Sequence, residues 1–242
     1  MGTRPICGRH AGLTSSDVNG ELRLVDDVPK AFVQAFVSAF RQRPGEEFDV
    51  ALSGGETARA CYERLAGEGA HAVDWLAVNF FWGDERCVPP DHPDSNELLA
   101  RQALLEKVGA ANAVYPMRCD DSLDAYQLRL GEAGHLDLVH LGLGPDGHTA
   151  SLFPGSPALA ADPGQLVTFN EDPSGRNHHR RMTLTYAGIA RARLVLFTVA
   201  GEAKRPAMEA VYAGEDLPAA RVRAGRVVWL VDHDAAPRAL LG

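Results

Sequence analysis

The sequence predicts an α/β fold: a Rossmann-like, mostly parallel sheet with helices on both faces. Three observations carry that expectation. Short apolar runs alternate along the chain with stretches of helical periodicity. Those runs are close to continuously apolar, as in strands buried on both faces. The segments richest in glycine and charge follow directly after such runs, where the carboxyl ends of strands in an open parallel sheet collect ligands.

Each element has its own warrant. Residues 26–41 place Val28, Phe32, Val33, Phe36, Val37 and Phe40 at three- and four-residue spacing, one apolar helical face. Residues 48–52 read as a buried strand, with Ser53, Gly54 and Gly55 turning into a helix that reaches about Leu65. A second strand over 75–82 ends in Gly83, Asp84, Glu85 and Arg86. Ser95 is placed to cap a helix through Val108 that carries Leu98, Leu99, Leu104 and Leu105. Residues 136–143 form a strand that enters a glycine-rich segment, followed by a helix that Pro154 stops within about two turns. Residues 170–179 are the least ordered stretch, a polar loop, and Arg181 then begins a strand-like alternation. Residues 194–200 and 227–231 are the last strands, each followed by a helical stretch, with Lys204 just inside the first of these. No repeat and no linker divides the chain. One domain over 1–242 is expected, its first twenty or so residues a loose extension or an edge strand.

Composition narrows the function classes. The 242 residues are 45% hydrophobic and 23% charged, ordinary for a globular protein with a sizeable core. No stretch approaches the roughly 20 apolar residues needed to cross a bilayer. The opening residues have no apolar run of signal-peptide type, so a cytoplasmic location is expected. Cys7, Cys61, Cys87 and Cys119 make no CxxC or Cys/His metal pattern, and in a reducing cytosol they are expected as free thiols, some buried as small hydrophobes. A net charge of −8 without a basic run argues against nucleic acid or an anionic membrane as partner. It leaves room for a small anionic substrate, because a few converging cations outweigh the global sign within a Debye length of roughly 8–10 Å.

Four segments carry chemistry. Ser53-Gly-Gly-Glu-Thr57 joins a strand to a helix start, so its backbone N–H groups make an anion site to which Ser53 or Thr57 adds a hydroxyl. The bland alternative is a tight turn with a capping hydroxyl, and Glu56 would have to point away from any bound anion. Asp84, Glu85 and Arg86 leave a strand of three aromatic residues, and the Arg86 fork suits phosphate, although an exposed ion pair at a sheet edge is the commoner fate of such a triplet. Gly142-Leu-Gly-Pro-Asp-Gly147 matches GxGxxG after a strand, yet Pro145 and Asp146 stand where a pyrophosphate needs N–H groups and no negative charge. The glycines are better read as bends that expose Asp146 and His148, with His148 suited to base work near neutral pH and Asp146 to orienting it. Finally, Arg181 and Lys204 are ordinary surface cations taken singly, but both lie where they can reach the same sheet edge as Arg86.

Taken together these segments resemble the 6-phosphogluconolactonase family. SGG-x-T, GDER-x-VP with a following SN, GxGxDGHxASLFP, the R-x-T-L-T strand and a later Gly-x-x-Lys stand in that family's order over nearly the whole chain. The resemblance implies a Rossmann-like fold shared with glucosamine-6-phosphate deaminases. It also implies hydrolysis of 6-phospho-D-glucono-1,5-lactone to 6-phosphogluconate, without a metal or organic cofactor. On that reading His148 takes the proton from the attacking water. Gly54, Gly55 and Thr57 line the pocket with Ser53, while Arg86, Arg181 and Lys204 supply positive charge and Asp84 and Asp146 shape the site. The partner implied is a small sugar-phosphate lactone, with no nucleic acid or membrane, and the chain is expected as a monomer or weak homodimer. Two departures are Ala58, where the family usually has proline, and a short lobe between Met117 and Leu136. The deaminases follow Asp-Gly-His with a glutamate-bearing stretch, whereas Ser151-Leu-Phe-Pro154 has no acid, which favours hydrolysis. Absence of a GxSxG elbow favours direct attack by water over an acyl-enzyme.

Overall fold

The structure, a computed structural model, describes residues 19–241 apart from Asp121. In chain order it contains β1 (Glu21–Leu24), α1 (Val28–Arg41), β2 (Phe48–Leu52), α2 (Glu56–Arg64), β3 (Val78–Trp82), β4 (Asp84–Arg86), α3 (Asn96–Ala100), α4 (Glu106–Val108) and β5 (Ala113–Val114). There follow α5 (Leu123–Ala133), β6 (Leu136–Leu141), β7 (Val167–Asn170), β8 (Arg181–Leu184), α6 (Tyr186–Ala190), β9 (Ala192–Val199), α7 (Arg205–Tyr212) and β10 (Val227–Val231).

Seven strands form one parallel sheet in the order β1-β10-β9-β6-β2-β3-β5. From β2 the chain builds outward through β3 to β5, then returns to lay β6 on the other side of β2 and continues to β9 and β10. The strand order therefore reverses between β2 and β6, and the loops leaving these two neighbours diverge over a crevice at their carboxyl ends. Every residue of β3, β6 and β10 is buried, so both faces of the sheet are covered. On one face Phe32 of α1 lies 4.5 Å from His140 and Phe36 lies 5.4 Å from Phe48, ring centre to ring centre. On the other, Phe81 meets Tyr126 of α5. Each such buried phenylalanine contributes roughly 2–3 kcal/mol of hydrophobic free energy.

The Ser95 cap forms as expected, and Asp27 adds one that the sequence reading did not name. Asp27 caps α1 by accepting from the Lys30 N–H, and Ser95 caps α3 by accepting from Leu98. Wide π-type turns at Leu65–Gly69 and Arg101–Leu105 extend α2 and join α3 to α4, so residues 96–108 form one uneven helical rod. Glu21–Leu24 form the parallel edge strand that pairs with β10, and the residues before 19 lie outside the described part. No helix among the described residues is long and apolar enough to cross a membrane.

Several expectations are corrected. Residues 75–77 are a 3₁₀ turn rather than strand, and Asp84–Arg86 are a strand, not a loop. The latter belongs to a three-stranded antiparallel sheet, β4-β8-β7, whose first member is too short and too charged to show an apolar pattern. No helix follows His148: residues 149–152 close a tight bridge instead, and Ala150 takes a φ of 48°. After β10 the expected helical stretch is a 3₁₀ turn, Arg238–Leu240. The polar loop after β7 is folded around Asp172, which accepts from the N–H groups and side chains of Ser174 and Asn177. The expectation of free thiols fails for Cys87 and Cys119, which form a disulfide across 32 residues with Cα atoms 5.2 Å apart. Only folding brings the end of β4 beside the segment after β5. Cys61 is a free, buried thiol whose pKa burial pushes up to about 12, and Cys7 lies outside the described residues.

Two outcomes test this architecture. Reducing the Cys87–Cys119 bond should cost about 3–4 kcal/mol through loop entropy, seen as a lower urea midpoint. Recovery of both residues as free thiols from protein isolated without reductant would remove the bond. His140 is fully buried in the parallel sheet, and desolvation pushes its pKa down to about 3, below the roughly 6.5 of an unfolded histidine. Because the folded pKa is depressed, the unfolded chain binds the extra proton and stability falls as pH drops from about 6.5 toward 3. The melting temperature should decline across that window, and less steeply in His140→Gln; an equal slope in both would assign the acid sensitivity elsewhere.

Candidate active site

A cleft of about 440 Å³ opens at the carboxyl ends of β2, β3, β6 and β9, with β8 closing one side. It takes in Ser53, Gly54, Gly55, Thr57, Asp84, Arg86, His148, Arg181 and Lys204, so all the expected site residues but one line it. The exception is Asp146, which stands behind His148 rather than in the cleft.

The segment after β2 begins α2 with Gly55, whose φ of 92° a side chain would strain. No side chain caps this helix, so its first N–H groups meet the cleft with the positive end of the helix dipole. Glu56 turns its carboxylate into solvent, 90% exposed and 3.8 Å from Arg59, and so leaves the anion-facing side clear. Ser53 is buried, and its backbone N–H and C=O are both engaged by the Tyr62 hydroxyl.

Opposite this turn, β4 and β8 pair so that Arg86 and Arg181 stand directly across from each other. Two guanidinium groups in register repel one another, and each is held by something else. Arg86 donates from Nη1 to the Asp94 carbonyl at 2.6 Å, while its Nε is buried without a partner among the described residues. Arg181 lies 3.8 Å from the Asp84 carboxylate. Burial depresses its pKa, and the Asp84 charge opposes that depression. Asp84 also accepts from Ser151 Oγ at 2.6 Å, and its carbonyl accepts from Asn96 Nδ2 at 2.8 Å. Glu85 faces the other way and caps α3, accepting from the N–H groups of Asn96 and Glu97 and from Ser95 Oγ.

The segment after β6 presents His148. Its Nδ1 lies 2.5 Å from Asp146 Oδ1, which also receives the His148 backbone N–H at 3.2 Å. Burial would raise the Asp146 carboxyl, but the bonds and charge of His148 bring it below its usual value, so it stays ionised. A carboxylate on Nδ1 selects the tautomer with its proton there and leaves Nε2 as the acceptor on the cleft side. The ring sits so close to Gly144 that a Cβ there would come within 2.1 Å of it. Lys204, in the 3₁₀ turn before α7, donates to the Leu143 carbonyl at 2.8 Å. Burial lowers its pKa against the opposing pull of Asp146, and it belongs to the His148 side of the cleft.

Sequence reasoning missed the supports. Ser151 was read only as a non-acidic residue, yet it fixes Asp84; Asn96, from the SN pair, ties the same residue to α3. His140 and Thr198 form part of the cleft wall although they lie inside strands, where nothing marks them as polar partners. Among the described residues no cluster of three or more His, Cys, Asp or Glu is placed to hold a metal ion. An imidazole base, an uncapped helix start and three cations in one cleft suit water-mediated attack on a small anionic substrate.

Comparison with known proteins places the chain in a family. Residues 20–229 match the model of the family described as glucosamine-6-phosphate isomerases/6-phosphogluconolactonase. The 6-phosphogluconolactonase of Synechocystis sp. is 42% identical over 205 residues, 77% of this chain and 82% of its own length. The structure of 6-phosphogluconolactonase from Trypanosoma cruzi superposes with a TM-score of 0.78 at 27% identity, covering 93% of this chain and 98% of that one. A monomeric glucosamine-6-phosphate deaminase, at 16% identity and a TM-score of 0.73 over 88% of this chain and 98% of its own, shares the fold. With the family's motifs gathered in one cleft and its model matched over most of the sequence, the chain belongs to the glucosamine-6-phosphate isomerase/6-phosphogluconolactonase family.

Proposed function

We propose that this protein hydrolyses 6-phospho-D-glucono-1,5-lactone to 6-phospho-D-gluconate, the second step of the oxidative pentose phosphate pathway, with His148 as general base. The observation that carries the mechanism is the Asp146–His148 bond, which engages Nδ1 and so makes Nε2 the nitrogen available to a water in the cleft. The relatives named 6-phosphogluconolactonase support the substrate.

In this mechanism His148 Nε2 takes a proton as water oxygen bonds to the lactone carbonyl carbon. Ionised Asp146 stabilises the imidazolium so formed. Collapse of the tetrahedral intermediate breaks the bond to the ring oxygen, which leaves with the proton from His148. A δ-lactone is an activated ester, so a placed water, a base and nearby positive charge meet its demands. The phosphate is held by the Gly54–Thr57 turn, Ser53 Oγ, Arg86 and Lys204, and its binding orients the lactone over His148. Asp84 holds Arg181 in place between them. The buried run Ser151, Leu152 and Phe153 brings no carboxylate to the cleft, which supports hydrolysis over the isomerase chemistry of the deaminases. One domain carries the whole site in this reading, and the proposed setting is the cytoplasm.

Proton release from freshly made 6-phosphogluconolactone should exceed the spontaneous rate, and His148→Ala should lose about 10²–10⁴-fold in kcat. A wild-type rate equal to the background would reject the function; an undiminished His148→Ala would reject the base. Arg86→Ala and Lys204→Ala should raise KM for the phosphorylated lactone far more than for gluconolactone, and equal effects on both substrates would strip these residues of a phosphate role.

A further inference from the structure

A buried polar chain that the proposed chemistry does not use runs from the cleft wall, at His140 and Thr198, to Tyr62 behind it. The Tyr62 hydroxyl, on α2, accepts the Ser53 N–H at 2.7 Å and lies 3.1 Å from the Ser53 carbonyl and 2.9 Å from His140 Nδ1. His140 Nε2 lies 2.8 Å from Thr198 Oγ1. Tyr62 and His140 are wholly buried and Thr198 nearly so. The chain thus crosses from the exit of β2 through α2 to β6 and β9, and joins the strands on both sides of the point where strand order reverses.

Its place matters because of what Ser53 lacks. The β2–β6 ladder pairs only Val50 with Leu138 and Ala51 with Val139, so Ser53 has already left the sheet. Gly54 and Gly55 follow, without side chains to anchor them. The Tyr62 hydroxyl takes up both backbone groups of Ser53 at the point where the strand turns into α2.

Proton counting shows how the chain is satisfied. Tyr62 has one proton to give while it accepts the Ser53 N–H. If it donates to His140 Nδ1, then Nε2 carries the ring proton and donates to Thr198. If it donates to the Ser53 carbonyl, His140 donates from Nδ1 to Tyr62 and accepts from the Thr198 hydroxyl at Nε2. Both arrangements keep His140 neutral and hold Ser53 through its N–H, and the second also gives the Ser53 carbonyl a donor. Desolvation, rather than the count of donors, keeps the imidazole uncharged.

We infer that Tyr62, His140 and Thr198 are positioning residues that set the direction of the Gly54–Thr57 N–H groups and so confer phosphate affinity on the cleft. This rests on the reading of that turn as the phosphate site, and it has a readout that does not require turnover. In a titration with inorganic phosphate followed by ¹H–¹⁵N NMR, the amides of Gly54 and Gly55 should shift in the wild type. Tyr62→Phe and His140→Leu should each weaken that binding about tenfold, the scale of one lost buried hydrogen bond. His140→Gln, which can still donate and accept, should recover part of the loss. Thr198→Val, of similar shape and remote from Ser53, should give a smaller loss in the same direction and serves where the larger changes prevent folding. The Tyr62→Phe/His140→Leu double variant should be no weaker than either single one, because both break one chain. With 6-phosphogluconolactone Tyr62→Phe, whose side chain does not line the cleft, should raise KM while kcat, and KM for gluconolactone, stay within about twofold.

Phosphate binding undiminished in Tyr62→Phe and Thr198→Val, or a wild type whose Gly54 and Gly55 amides ignore phosphate, overturns the inference. A fall in melting temperature with phosphate affinity unchanged would make the chain structural only, and also overturns it. Phosphate binding that responds as expected in a protein without lactonase activity would uphold the inference and reject the proposed function instead.

Discussion

In a parallel sheet every strand is entered from the same end, so the loops that leave the strands crowd one edge. Where the chain reverses its direction of building, neighbouring loops must part. Here that point falls between β2 and β6, and the site depends on it. One diverging loop carries the uncapped start of α2; the other carries His148 on its glycine bend. Neither needs distortion of the sheet to face the cleft. The cost of this geometry is that two loops leave the ladder early and must be fastened by side chains: Tyr62 on one side, Asp146 on the other.

The electrostatics of the cleft run against those of the molecule. A chain with net charge −8 gathers Arg86, Arg181 and Lys204 around one cavity, and two of these stand in direct register across an antiparallel pair. Such an arrangement is stable only because Asp84 balances one guanidinium and a backbone carbonyl holds the other. The phosphate of the proposed substrate would supply the remaining compensation. The second sheet therefore has a purpose beyond packing, since it carries two of the three cations to a place the parallel sheet alone would leave open.

Much of this was legible from residues in order. Helix α1 stood out because its apolar side chains repeat at the helical period, and strands 48–52 and 227–231 because they are short, nearly continuous apolar runs; burial of those side chains is what stabilises each. The glycine bends were legible because few residues other than glycine fit a positive φ or a Cα pressed against a ring. The strand β4 was not legible, since three polar residues owe their extended form to partners far along the chain. Nor was the absent helix after His148: its spacing permitted one, but Thr149 pairs with Leu152 in a bridge and the Ser151 N–H goes to Thr183 of β8 instead.

The sequence by itself determined the parallel α/β architecture, the family, and the histidine, cations and glycine turn that line the cleft. These depend on local period, on turn chemistry and on motifs whose order is read along the chain. Only the tertiary structure decided that Asp146 serves His148 from behind, that Ser151 and Asn96 fix Asp84, that Tyr62 reaches His140 and Thr198, and that Cys87 bonds to Cys119. Each of the last three joins residues from 12 to 78 positions apart. A hydrogen bond or disulfide reports distance in space, and no periodicity along the chain encodes which distant residues folding will bring within 3 Å.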